Sequence, residues 1–60
     1  MSTLKKILAL AVSATDISYG IWESAQSLAM QLERGQITEA EALDALAELR
    51  ADLAETEVAS

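Results

Sequence analysis

The sequence predicts an all-α fold, an antiparallel helical hairpin, from three observations. Apolar and small residues recur every three or four positions through most of the chain, which is the period of one helix face. The chain contains no proline that would break a helix. One turn signal, Arg34-Gly35, separates two such periodic stretches. We therefore expect a long helix over about residues 3–34, a turn at 35–38 and a shorter helix over about 39–57.

The first predicted helix has one uninterrupted apolar seam. Its members are Leu4, Ile7, Ala11, Ala14, Ser18, Ile21, Ala25, Leu28 and Leu32. Because this alternation stays on one face, we expect an unbroken or mildly bent helix. The alternative is a break between Ser13 and Gly20, where Ser13 and Asp16 form an S-x-x-D pattern that can cap a new helix. In that case the N-terminal piece becomes a mobile docking helix.

The second predicted helix begins with a capping box. Thr38 and Glu41 have the spacing at which each side chain accepts a hydrogen bond from the other residue's backbone amide. Large apolar residues then recur on one side of this helix, where they can pack against the first helix. The predicted hairpin core consists of Ile21, Leu28, Leu32, Leu46, Leu49 and Leu53.

The two predicted helices differ in length, about 48 Å against 28 Å at a rise of 1.5 Å per residue. The shorter helix cannot cover residues 1–15, so we expect them to project as an apolar arm from a paired hairpin of residues 16–57. Both belong to one domain spanning residues 1–60. An exposed apolar arm needs a partner. We therefore expect a homodimer in which two hairpins form a four-helix bundle with coiled-coil packing.

The predicted interface includes two aromatic residues. Its members are Leu4, Ile7, Leu8, Ala11, Tyr19 and Trp22. One interpretation makes Tyr19 and Trp22 an exposed anchor, because Tyr and Trp dominate the energetics of many protein interfaces. In a second interpretation, Trp22 packs on Leu49 and Leu53 and closes the end of the hairpin.

The net charge of −6 lies entirely in the second half of the chain. Five acids spaced three or four residues apart share one face of the second helix, namely Glu41, Asp44, Glu48, Asp52 and Glu55. One interpretation is a solvated surface that keeps an oligomer soluble. The other is an acidic docking face for a basic protein, or a mimic of nucleic-acid phosphates. Direct nucleic-acid binding is not expected, because the chain has only four basic residues.

The residue types present do not favour catalysis. The chain has neither Cys nor His, which excludes a thiol nucleophile, a thiolate metal ligand and an imidazole base. Regularly spaced, exposed carboxylates lack the apolar pocket that a general acid requires, and they lack the spacing of an EF-hand loop. We therefore expect no enzyme activity, no metal and no cofactor.

The N-terminus allows a second interpretation. Lys5 and Lys6, the apolar run from Ile7 and the small residues that end at Ala14 follow the order of a bacterial secretory signal that is cleaved after Ala14. We nevertheless expect a cytoplasmic protein, because the apolar run is short and continues the seam in phase. No uncharged stretch is longer than the nine residues of 7–15, which is too short to span a bilayer, so membrane contact is not expected.

These features predict a non-enzymatic protein that self-associates and acts by binding another protein, as an adaptor or inhibitor. The alternatives are a structural assembly subunit, as in a virion or scaffold, and a secreted or membrane-surface peptide with residues 1–14 as signal or anchor. Short, acidic, cysteine-free helical hairpins are similar in type to accessory proteins of bacteriophages and mobile elements. Many of those bind host proteins or assemble in virions, so the resemblance implies a binding or assembly role.

Overall fold

The computed structural model describes residues 2–59, which form three α-helices and no strand. The helices are α1 (Thr3–Ala14), α2 (Tyr19–Glu33) and α3 (Glu39–Ala59). The predicted all-α class is confirmed. Within residues 2–59, no helix is both long enough and apolar enough to cross a membrane.

The predicted single helix over residues 3–34 is wrong, because the chain breaks between α1 and α2. The backbone N–H groups of Ile17 and Ser18 both donate to the carbonyl oxygen of Ala14, at 3.0 and 2.9 Å, which closes the end of α1. Ser18 then adopts an extended conformation, with φ −148° and ψ 108°, and its Oγ accepts from the Ile21 N–H at 3.3 Å. The alternative of a break between residues 13 and 20 is therefore confirmed, with Ser18 as the cap in place of Ser13 and Asp16.

We expect Ser18→Ala to lower the stability of the protein, because it removes the N-cap of α2. Losing an N-cap hydroxyl typically costs about 1 kcal/mol, which corresponds to a Tm shift of about 4 to 8 °C in a domain of this size. Ser13→Ala is the matched control, because Ser13 is an exposed residue inside α1. Thermal unfolding followed by circular dichroism measures both. An equal or larger loss in the Ser13 variant would contradict this assignment of the cap.

The turn between α2 and α3 follows the sequence-based prediction. Gly35 has a φ of +71°, the left-handed conformation that favours glycine just past a helix end. The Gln36 N–H donates to the Gln31 carbonyl oxygen at 2.9 Å and the Gly35 N–H to that of Leu32 at 3.2 Å, the two bonds of a Schellman motif. These bonds satisfy carbonyl groups that the end of α2 would otherwise leave without partners. The predicted end of the helix at Arg34-Gly35 is therefore confirmed.

The predicted capping box at the start of α3 is also confirmed. The Thr38 N–H donates to Glu41 Oε1 at 3.0 Å, and the Glu41 N–H donates to Thr38 Oγ1 at 3.2 Å. Ile37, the residue before the cap, packs against the apolar core and fixes the direction in which the chain enters the helix.

The expected projecting arm is not seen over the described residues of that segment, because α1 packs against both α2 and α3. Ile7 is completely buried, with 0% of its side chain exposed. The molecule is 35 Å long, which accommodates the roughly 31 Å of α3 but not an unbroken helix of about 48 Å. The break at residues 15–18 thus lets the chain bury the apolar residues that a straight helix would have left in water.

All three helices contribute to one apolar core. Its buried members are Ile7, Leu10, Ala11, Ala14, Ile21, Ala25, Leu28, Ala29, Ala42, Leu46 and Leu53. Of the predicted hairpin core, Ile21, Leu28, Leu46 and Leu53 are in this set, whereas Leu32 and Leu49 are half-buried at its edge. Much of the core is alanine, which lets the three helices approach one another closely.

Candidate protein-binding groove

An open groove of about 590 Å³ runs between α2 and α3. One wall is a stripe on α2 made by Gly20, Ser24, Ser27 and Gln31, spaced four, three and four residues apart. This spacing keeps the stripe on one face over about three helical turns. Three of its four members are small, so the wall leaves room beside the backbone of α2.

The base of the groove is apolar. Leu28 from α2 is buried and Ala45 and Leu49 from α3 are half-buried, and all three line the groove. Part of their side-chain surface therefore faces solvent within a concave site. Desolvating such surface favours binding by about 25 cal/mol for each Å² that a partner covers.

Two carboxylates flank this apolar base, Glu23 from α2 and Glu48 from α3. Both are exposed. The groove continues at Glu48 into the predicted acidic face, whose five members are all exposed on α3. The site therefore combines an apolar base with negatively charged rims.

Glu41 differs from the rest of the acidic face because its carboxylate is already used within the protein. Hydrogen bonds from the backbone and the side chain of Thr38 lower the pKa of the Glu41 carboxyl below its ordinary value. The charged form of Glu41 is therefore held at the start of α3, where a negative charge interacts favourably with the positive end of the helix dipole. We therefore assign Glu41 to capping and only the other four acids to a surface that a partner can contact.

We expect part of the protein's stability to be lost in acid through Glu41. Because its pKa is lower in the folded than in the unfolded protein, the contribution is present above the unfolded-state pKa and disappears as pH falls through the folded-state pKa. Glu41→Gln keeps an oxygen that can accept from Thr38 but cannot titrate, so its Tm should fall less between neutral and acidic pH than that of the parent. Equal losses in the two proteins would show that the capping carboxylate does not contribute.

The predicted interface residues do not form one surface. Ile7 and Ala11 are buried inside the protein, so their side chains are not available to a partner. Leu4 is half-buried, and Leu8 is 39% exposed. The four α1 residues do not form one exposed surface, because the most apolar side of α1 packs against the protein's own core.

The two aromatic residues have different environments although their rings are in contact. Their centroids are 5.4 Å apart with the planes inclined at 36°. Trp22 is half-buried and packs against the core, whereas Tyr19 is 70% exposed. Neither residue lines the groove, so an aromatic anchor would belong to a different surface.

Sequence reasoning missed the groove, although one signal for it was present. In the first predicted helix, a regular stripe of residues lies on the face next to the apolar seam and has no large side chain until its last member. The stripe consists of Gly20, Ser24, Ser27 and Gln31. Such a stripe indicates a helix side that another helix can approach. The pairing of this stripe with Ala45 and Glu48 depends on how α2 and α3 pack, which periodicity does not specify.

Comparisons of this chain with protein-family models, with curated proteins and with solved structures found no match.

Proposed function

We propose that this is a non-enzymatic protein that works by binding a helical segment of another protein in the groove between α2 and α3. The observation that carries the proposal is the combination of a partly exposed apolar base with carboxylates on both helices. An amphipathic helix laid in a groove between two helices is a recurring mode of protein recognition. The bound segment would be the fourth helix of a bundle, and it would cover the side of α2 and α3 that α1 leaves uncovered.

The chemistry of the groove defines the class of partner. Ala45 and Leu49 would be covered by an apolar stripe, and Glu23 and Glu48 would pair with Lys or Arg beside that stripe. The small α2 wall would allow the partner's backbone to approach closely. The preferred ligand is therefore a basic amphipathic helix about three turns long, the length of the groove wall.

A pair of synthetic helical peptides tests the proposal directly. The two share one apolar stripe, and Lys flanks the stripe in one peptide and Glu in the other. Two favourable rim pairs of a few tenths to 1 kcal/mol each predict that the Lys peptide binds about tenfold tighter at low salt. Titration monitored by NMR chemical shifts of the groove residues measures the affinities, and added salt should reduce the difference.

Charge reversal provides the matched control. The variant Glu23→Lys with Glu48→Lys should reverse the preference between the two peptides. Its stability should be unchanged or slightly higher, because Glu48 has Asp44 and Asp52 at i±4 and their repulsion is removed. The variant Asp16→Lys with Glu33→Lys makes the same change of charge outside the groove and should keep the parent's preference. Equal binding of both peptides, or equal effects of the two variants, would refute the proposal.

A further inference from the structure

A second copy of this chain offers a ligand of the class that the groove should bind. The outward side of α1 is formed by Lys5, Leu8, Ala9 and Val12, which we name the α1 outer face. All four residues are exposed, Val12 to 76% and Leu8 to 39%. Leu8 and Val12 are one turn apart and therefore neighbours on the helix surface, with Lys5 beside them. The face is thus an apolar stripe with a cation next to it.

Charge is complementary between this face and the groove. The chain's two lysines, Lys5 and Lys6, are both in the first turns of α1, and the α1 outer face contains no acid. The groove carries Glu23 and Glu48, with Asp44 and Asp52 adjacent on α3. The side of the molecule that bears α1 is therefore attracted to the groove of another copy, whereas two grooves repel each other.

The two surfaces lie on different sides of the same molecule. No α1 residue lines the groove, and each of the three helices packs against the other two, so α1 lies across the core from it. One contact between copies therefore uses the α1 outer face of one and the groove of the other. Such a contact is heterologous, and it leaves a free face and a free groove at the two ends.

We propose that copies of this chain associate head to tail, with the α1 outer face of each copy seated in the α2–α3 groove of the next. This inference rests on the proposed function of the groove, and it names the chain itself as one of its ligands. It replaces the two-fold dimer predicted from the sequence by an open series. A helical partner of another protein would compete with the neighbouring copy for the same groove.

The association should be weak and dependent on concentration. The isolated chain exposes only 4020 Å², and a contact about three turns long covers much less than the roughly 1,600 Å² of a standard stable interface. Sedimentation of the purified protein from about 10 μM to 1 mM covers the range in which transient contacts assemble. The average mass should rise steadily from the 6.4 kDa of one chain and pass beyond twice that value without a plateau. High salt should lower it.

Two complementary variants test the head-to-tail geometry. Ser24→Gln with Ser27→Gln fills the groove, and Leu8→Gln with Val12→Gln removes the apolar part of the α1 outer face. All four positions are exposed, so both variants should fold, and circular dichroism verifies this. All four changes are uncharged, so no new charge pair is created. Each variant alone should associate at least about tenfold more weakly than the parent. An equimolar mixture should form a 1:1 dimer and nothing larger, because only one intact face meets one intact groove.

A third variant separates this geometry from other modes of self-association. Ala47→Gln with Ala54→Gln changes exposed residues of α3 that line neither surface, and it should associate as the parent does. A parent that stays monomeric, a mixture that forms no dimer, or loss of association in the alanine variant would each overturn the inference. If the parent stays monomeric while the Lys peptide still binds the groove, only self-docking fails. If neither occurs, the proposed function fails as well.

Discussion

Leu46→Ala is expected to unfold the protein or leave it without fixed packing. Leu46 is 2% exposed and is one of two large buried side chains with which α3 contacts the core, the other being Leu53. Truncating a well-buried Leu to Ala typically costs about 2 to 5 kcal/mol. A chain of 60 residues has a free energy of unfolding of only about a few kcal/mol. The cost of this truncation is therefore comparable with the protein's entire free energy of unfolding.

Trp22 and Leu43 make this prediction measurable. Trp22 packs half-buried against the core, so its emission should shift toward that of solvated indole when the core loses its packing. Leu43→Ala is the matched control, because the same truncation is made on the same helix at a side chain that is 42% exposed. It should lower the Tm by only a few degrees, if at all. Equal loss in the two variants would show that α3 is held by something other than its buried leucines.

The turn at residues 34–38 could be predicted because local chemistry determines it. Gly35 takes a conformation that other residues avoid, and the Thr38–Glu41 pair satisfies backbone amides within four residues. Neither requirement depends on what the helices pack against. The start of α3 at Glu39 therefore agrees with the predicted start at about residue 39.

The break at residues 15–18 was harder to predict because the apolar seam passes through it in phase. Ser18 fits that seam and is also the cap of α2. The order Ile17-Ser18 matches Ile37-Thr38, an apolar residue followed by a hydroxyl cap, but Ser18 has no Glu three residues later and no Gly before it. Because α1 and α2 both pack on the same core, a continuous apolar seam is compatible with a fold in which the chain reverses direction between these two helices.

The candidate site was predictable only in part, for the same reason. Exposure of Asp44, Glu48, Asp52 and Glu55 follows from their spacing opposite the buried residues of α3. The groove requires α2 as well, and Glu23 joins Glu48 only once the two helices have packed. Properties of a single helix could therefore be inferred from periodicity, whereas a surface shared between two helices could not.

Ile7→Ala is expected to destabilise the whole protein, and this distinguishes a three-helix core from a hairpin with a free arm. Among residues 2–58, Ile7 is the largest side chain that is completely buried, and it belongs to the core to which all three helices contribute. Its truncation should cost about 2 to 5 kcal/mol, enough to unfold a domain of this size. Thermal unfolding and Trp22 emission at low protein concentration measure the effect on the monomer.

Leu8→Ala is the control for this prediction, since Leu8 follows Ile7 directly but points outward and is 39% exposed. It should change the Tm by no more than a few degrees and should weaken association between copies instead. The two variants would thus distinguish the inner from the outer side of one helix. The change at Ile7 should lower stability, and the change at Leu8 should weaken self-docking. If Ile7→Ala left the Tm unchanged but lowered the mass in solution, α1 would be an intermolecular arm after all. The groove between α2 and α3 would then have to be reconsidered, because without α1 their opposite side would be uncovered as well.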